Sequence, residues 1–124
     1  MDEDPTYTKQ SADAMLPEIR TRLEQMRTAL AAIAEHSESI PAVEGNGTGT
    51  KNKVWLDATR NMERHLAWFA SNGIILRDIS EGILDFPSYR DGQLILLCWR
   101  GDEPDVAHWH SPETGFASRQ PLED

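Results

Sequence analysis

The side chains able to do chemistry crowd into the last third of the chain. They are Asp85, Arg90, Cys98, Trp99, Glu103, His108, Trp109, His110 and Arg119. On a strand, His108-x-His110 places two imidazoles on one face, about 7 Å apart at ~3.4 Å rise per residue. Two imidazoles at that spacing can share a metal ion, and Asp85 or Glu103 can add an oxygen ligand. Such a nitrogen and oxygen set suits Zn or Fe. The spacing does not fix a third ligand. The competing reading has one histidine satisfying a backbone group and the other facing solvent. Without a metal, His110 is a candidate general acid/base oriented by Asp85 or Glu103. Cys98 as a nucleophile needs a base and an exposed thiolate. It lies inside the apolar run 94–99 and reads as a small buried core residue. Arg119, in Ser118-Arg119-Gln120-Pro121, either clamps an anion or pairs with Asp85 or Glu103, pinning the C-terminal tail across a sheet.

Which of these groups meet depends on strand register. After Gly73 the apolar period changes to two, giving candidate strands at 74–78, 83–89, 94–99 and 106–110. Asp91-Gly92 is a tight-hairpin signal. A two-residue loop there sets Arg90 opposite Gln93 and Asp85 opposite Cys98. For the next turn, a loop at Asp102-Glu103-Pro104 sets Cys98 opposite His108. A loop starting at Gly101 sets Leu97 opposite His108 instead, on the other face. Pro87 hints at a bulge that would shift the first register.

The elements that must hold this sheet lie upstream. Residues 1–7 read as a loose tail and 8–36 as a helix capped by Thr8 and kinked at Pro17. Leu16, Ile19, Leu23, Met26, Leu30 and Ile33 form a heptad seam. Residues 37–53, with Gly45-Asn46-Gly47-Thr48-Gly49, read as a flexible Gly-rich loop. It lacks the Gly-Lys-Ser/Thr ending and the preceding strand of a phosphate loop. A second helix follows over 54–72, with Trp55, Ala58, Met62, Leu66 and Phe69 on its apolar face. His65 and Trp68 lie at the edge of that face, and Gly73 stops the helix. The two seams imply an antiparallel helical hairpin. Residues 73–111 form a β-meander and 112–124 a C-terminal tail. The class is α+β: an N-terminal antiparallel helical hairpin packed on a C-terminal antiparallel β-meander of three to four strands, in one domain over 1–124.

Composition bounds the function. At 124 residues the chain has room for one modest core. The net charge is −9. Residues 1–72 carry 11 acids and 8 bases, and residues 73–124 carry 10 acids and 4 bases. That balance repels a phosphate backbone, so no nucleic-acid partner is expected. A single cysteine excludes an internal disulfide framework. No apolar run approaches the ~20 residues that span a bilayer, and the acidic start lacks a signal-peptide pattern. A cytoplasmic protein with no membrane partner is expected. The run 94–99 is apolar on both faces, so something covers the second face: the C-terminal tail or a second subunit. A homodimer is the expectation.

Gly82-Ile83-Leu84-Asp85-Phe86-Pro87, Gly92, Leu97-Cys98-Trp99, Gly101, Glu103, Trp109-His110, Gly115-Phe116 and Arg119-Gln120-Pro121-Leu122 together carry a resemblance, as do Thr8, Ala12 and Leu16-Pro17-Glu18. The chain resembles a bacterial family of unknown function, number 2203 in the domain-of-unknown-function series. The resemblance implies a small bacterial cytosolic protein and no particular activity. It includes Asp85, Glu103, His110 and Arg119 and leaves His108 out. The reading is therefore a non-enzymatic ligand- or protein-binding module. Its polar cluster on the sheet is Asp85, Arg90, Glu103, Trp109, His110 and Arg119. The alternative is a metal-dependent or acid/base enzyme centred on His110 with Asp85 or Glu103.

Overall fold

A computed structural model describes residues 5–36 and 50–122. Helix α1 spans Lys9–His36 and helix α2 spans Thr50–Ser71. Thr8 and Ser11 cap α1 reciprocally: Ser11 N donates to Thr8 Oγ1 at 3.1 Å, and Thr8 N donates to Ser11 Oγ at 2.9 Å. The helix runs unbroken through Pro17. The start of α2 at Thr50 shortens the loop expected over 37–53; its part at 37–49 lies outside the described residues. The tail expected over 1–7 is anchored at its inner end. Tyr7 N donates to Pro87 O at 2.8 Å, its hydroxyl donates to Asn72 O at 2.6 Å, and its ring meets Phe86 edge-on.

The helices run antiparallel, since Arg22 meets His65 while Ala29, further along α1, shares a groove with Ala58, further back on α2. The buried positions of α1 are Ala12, Leu16, Ile19, Leu23, Met26 and Ala29. The strict heptad fails at its end, where Leu30 is 41% exposed and Ala29 is buried. An α-helix drifts ~20° per heptad against a seven-residue repeat, so the contact stripe passes from position 30 to 29. On α2 the order of two neighbours is reversed. His65 is buried and Leu66 is 44% exposed. At about 100° per residue, a face centred on Ala58, Met62 and Phe69 is turned toward position 65 and away from 66.

One antiparallel sheet follows in the order β1-β2-β3-β4-β5. Its strands are β1 Ile75–Asp78, β2 Ile83–Arg90, β3 Gln93–Trp99, β4 His108–His110 and β5 Gln120–Pro121. The fifth strand exceeds the three to four expected. Two residues, one of them proline, give no alternation to read. Asp91 at φ 53° and Gly92 at φ 80° form the β2–β3 turn, with both central residues left-handed as a type I′ loop requires. Arg90 faces Gln93 and Asp85 faces Cys98. Pro87 pairs flush with Leu96, and the sheet's irregularity lies instead between Leu76 and Asp78 of β1. The physical reason is that the nitrogen of Pro87 points away from β3 and past the end of β1, where no strand needs a donor. Only its carbonyl is used, by Tyr7.

Leu84, Phe86, Ile95, Leu97 and Trp99 face the helices and join their seam in one core. The connection from β3 to β4 is tied to α1. Asp13 Oδ1 accepts from Val106 N at 2.8 Å, and Lys9 Nζ donates to Val106 O at 2.9 Å. No helix among the described residues is long and apolar enough to cross a membrane.

Candidate functional site

The second sheet face carries the polar side chains, because residues alternate sides along each strand. Asp85 on β2 and Cys98 on β3 are directly opposite, and Cys98 is opposite His108 on β4. The register is therefore the one given by a loop centred on Glu103. Arg77 on β1 and His110 on β4 share this face. Arg119, just ahead of β5, closes it from the C-terminal side.

At its centre lies a buried pair. His110 Nε2 is 3.0 Å from Asp85 Oδ1, and each residue is 1% exposed. The other imidazole nitrogen, Nδ1, donates to Ser111 O at 2.8 Å, since a carbonyl can only accept. Arg77 Nε donates to the second carboxylate oxygen, Asp85 Oδ2, at 2.8 Å. Arg77 is half exposed and brings the charge in from the edge. Cys98 is 0% exposed. Burial above all, then the charge and hydrogen bond of Asp85, push its thiol up to about 12, against an opposing pull from Arg119. A thiol in that state is not a nucleophile at neutral pH.

A second pair stands beside the first. Arg119 Nη1 and Nη2 donate to Glu103 Oε1 and Oε2 at 3.0 and 2.8 Å, a two-pronged bond. Arg100 N donates to Glu103 Oε1 at 2.9 Å, so the carboxylate also closes the turn after β3. Burial would raise the Glu103 carboxyl, but the hydrogen bonds from Arg119 and Arg100 outweigh it and hold it below its ordinary value. The guanidinium of Arg119 also stacks on Phe116 at 4.0 Å, and its charge pulls against the rise of the Cys98 thiol. The ion pair thus pins the C-terminal segment across the face, over Cys98.

The expected cluster divides in two. Asp85 and His110 meet, as do Glu103 and Arg119. Arg90 and Trp109 lie apart from both pairs. Trp109 packs against the core on the helix side, with the Arg90 guanidinium 5.0 Å above its ring. These two help line an open cleft of ≈ 750 Å³ with Gln93, Leu94, Pro112 and Glu113. His108 stays out of the buried group. Its Nδ1 is 3.9 Å from Glu103 Oε2 and makes no hydrogen bond among the described residues. The donors that converge are Asp85, Cys98 and His110, all within 4.8 Å of one another. Cys98 is the member that the apolar run concealed, although the Asp91-Gly92 register had already set it opposite Asp85.

No curated protein and no solved structure matches the chain. Over residues 5–122 the chain matches the family described as "Uncharacterized conserved protein (DUF2203)", and it belongs to that family.

Proposed function

We propose that the protein is a non-enzymatic binding module that takes an extended peptide segment along the free edge of β3. The observation that carries this reading is the burial of the polar centre. Asp85 and His110 are 1% exposed and Cys98 is 0% exposed, so no substrate touches them. The same burial weighs against an enzyme centred on His110.

Binding is placed where the sheet is incomplete. β4 covers Leu96, Leu97 and Cys98 of β3, and among the described residues no strand pairs with 93–95 on that side. In a two-residue hairpin the flanking residues, here Arg90 and Gln93, bond to each other. The N–H and C=O of Leu94 therefore point to the open side. The cleft with Arg90, Trp109 and Glu113 lies along this edge. Leu94 itself is 42% exposed. An added strand would supply main-chain hydrogen bonds, and its alternate side chains would enter the cleft. The strand can come from another protein or from a second copy of this chain, the expected homodimer.

The test is titration of isotope-labelled protein with short peptides alternating apolar and polar residues. Amide signals of 93–95 and the Trp109 indole should shift, and Leu94→Pro, which deletes the edge donor, should weaken binding about tenfold or more. Peptides that move none of these signals would overturn the reading, as would undiminished binding to Leu94→Pro. Sedimentation of the free chain at rising concentration separates a second copy from a foreign strand.

A further inference from the structure

We infer that Asp85, Cys98 and His110 form a buried site for a divalent ion of the zinc class. Their ligand atoms, a carboxylate oxygen, a thiol sulfur and an imidazole nitrogen, all lie within 4.8 Å of one another. An ion about 2.0–2.3 Å from each donor needs donor separations of about 3.3–3.8 Å, so small side-chain rotations bring the three groups onto one centre.

The surroundings aim the donors. In metal sites the ligating groups are oriented by outer hydrogen bonds. Two of the three residues here have such a partner on their far side. Ser111 O accepts from His110 Nδ1 and leaves the Nε2 lone pair facing inward. Arg77 Nε holds Asp85 Oδ2 and leaves Oδ1 facing inward. The charge of Arg119 opposes the rise of the Cys98 thiol, and Arg119 is itself fixed by both oxygens of Glu103. The inward pair, Nε2 and Oδ1, are two acceptors 3.0 Å apart. Such a contact requires a cation between them, a proton or a metal ion. A divalent ion entering displaces that proton and the thiol proton to solvent, so the charge of the buried cluster is unchanged.

The donor set selects the ion. A thiolate with an imidazole favours zinc over magnesium or calcium, which take all-oxygen sites. Three protein ligands leave the fourth tetrahedral position to a non-protein ligand. His108 and Glu103, candidates from sequence spacing, are excluded from this site. Glu103 is committed to Arg119, and His108, whose Nδ1 is 3.9 Å from Glu103 Oε2, is not among the converging donors.

The test uses the full chain, stripped with chelator and titrated with Zn²⁺, then with Co²⁺ as a spectroscopic stand-in. One ion should bind per chain. The cobalt form should show the visible bands of a tetrahedral site and a thiolate-to-cobalt charge-transfer band in the near ultraviolet. The chain holds a single cysteine, so that band reports Cys98 even if Cys98→Ser does not fold. Cys98→Ser should abolish the band and weaken zinc binding at least tenfold. Arg119→Lys should weaken binding about 10–100-fold. His108→Ala should bind as the wild type does. The inference is overturned if folded wild type takes up no ion. Cobalt bound without the thiolate band overturns it equally, as does loss of binding in His108→Ala.

Discussion

His110 Nε2 stands 3.0 Å from Asp85 Oδ1 across an intervening strand, with both residues 1% exposed. The pair joins β2 to β4 over the face of β3. Breaking it leaves an uncompensated polar group inside the protein. His110→Ala and Asp85→Ala should each lower stability by about 3–5 kcal/mol. The double variant should cost well under the sum, because the second removal takes out the orphan left by the first. Denaturant unfolding of the four proteins measures the coupling, and strict additivity would mean that the contact contributes nothing.

The Glu103–Arg119 pair gives an acid-side signature. A carboxyl held below its ordinary value contributes stability that is fully present above the unfolded carboxyl range. That stability is lost as the pH falls through the lower, folded value. Arg119→Ala should cost about 1.5–3 kcal/mol at neutral pH, in the range for hydrogen bonds to charged groups. The difference from wild type should shrink as pH drops below the ordinary carboxylate range. A gap that stays constant from pH 7 into strong acid would show that Arg119 acts through packing on Phe116 instead.

His65 gives a second, separate slope. Burial first, then Arg22 and Arg64, hold its imidazole below the ordinary 6.5. The unfolded chain therefore binds a proton that the folded chain resists, so stability is full above about pH 6.5 and falls as the pH drops toward the lower folded value. His65→Leu removes the titrating group from the helix seam and should flatten the stability profile below pH 6.5. An unchanged profile in that variant assigns the slope to another group.

How much of this was legible in the sequence follows from what each signal depends on. Asp91-Gly92 dictates a local turn, and a two-residue turn dictates the register that puts Asp85 against Cys98. The helix seams were legible because burial follows the helical period. They were off by one position at Leu30 and Leu66, where the angle of packing decides and no local residue reports it. The Asp85–His110 contact spans two strands and depends on the register of a long connection. That register is set by Glu103 bonding back to Arg100 N and out to Arg119. Three positions must agree before the site exists, and no spacing rule encodes that agreement. Cys98 was hidden by its neighbours: Leu96 and Trp99 make the strand read as core whatever the sulfur faces.

The thiol of Cys98 offers a kinetic check of the buried face. With its value pushed up to about 12, the thiolate fraction at pH 8 is about one part in ten thousand. Alkylation of the metal-free protein should therefore proceed only through opening of the sheet. The rate should follow unfolding across denaturant, and rapid labelling of the native chain would show that the C-terminal segment does not cover Cys98.

Ala29 tests where the contact stripe between the two helices runs. It is 4% exposed and shares a groove with Ala58, which is 7% exposed. Both alanines lie on the buried stripe where the two helices meet. Ala29→Asp should destabilise by about 1–3 kcal/mol, because it turns a carboxylate into the buried stripe. Leu30→Ala, one position away, should cost well under the 2–5 kcal/mol of a buried leucine, because Leu30 is 41% exposed. If Leu30→Ala proves the costlier change, the stripe has not drifted, and the heptad seam read from the sequence describes the contact after all.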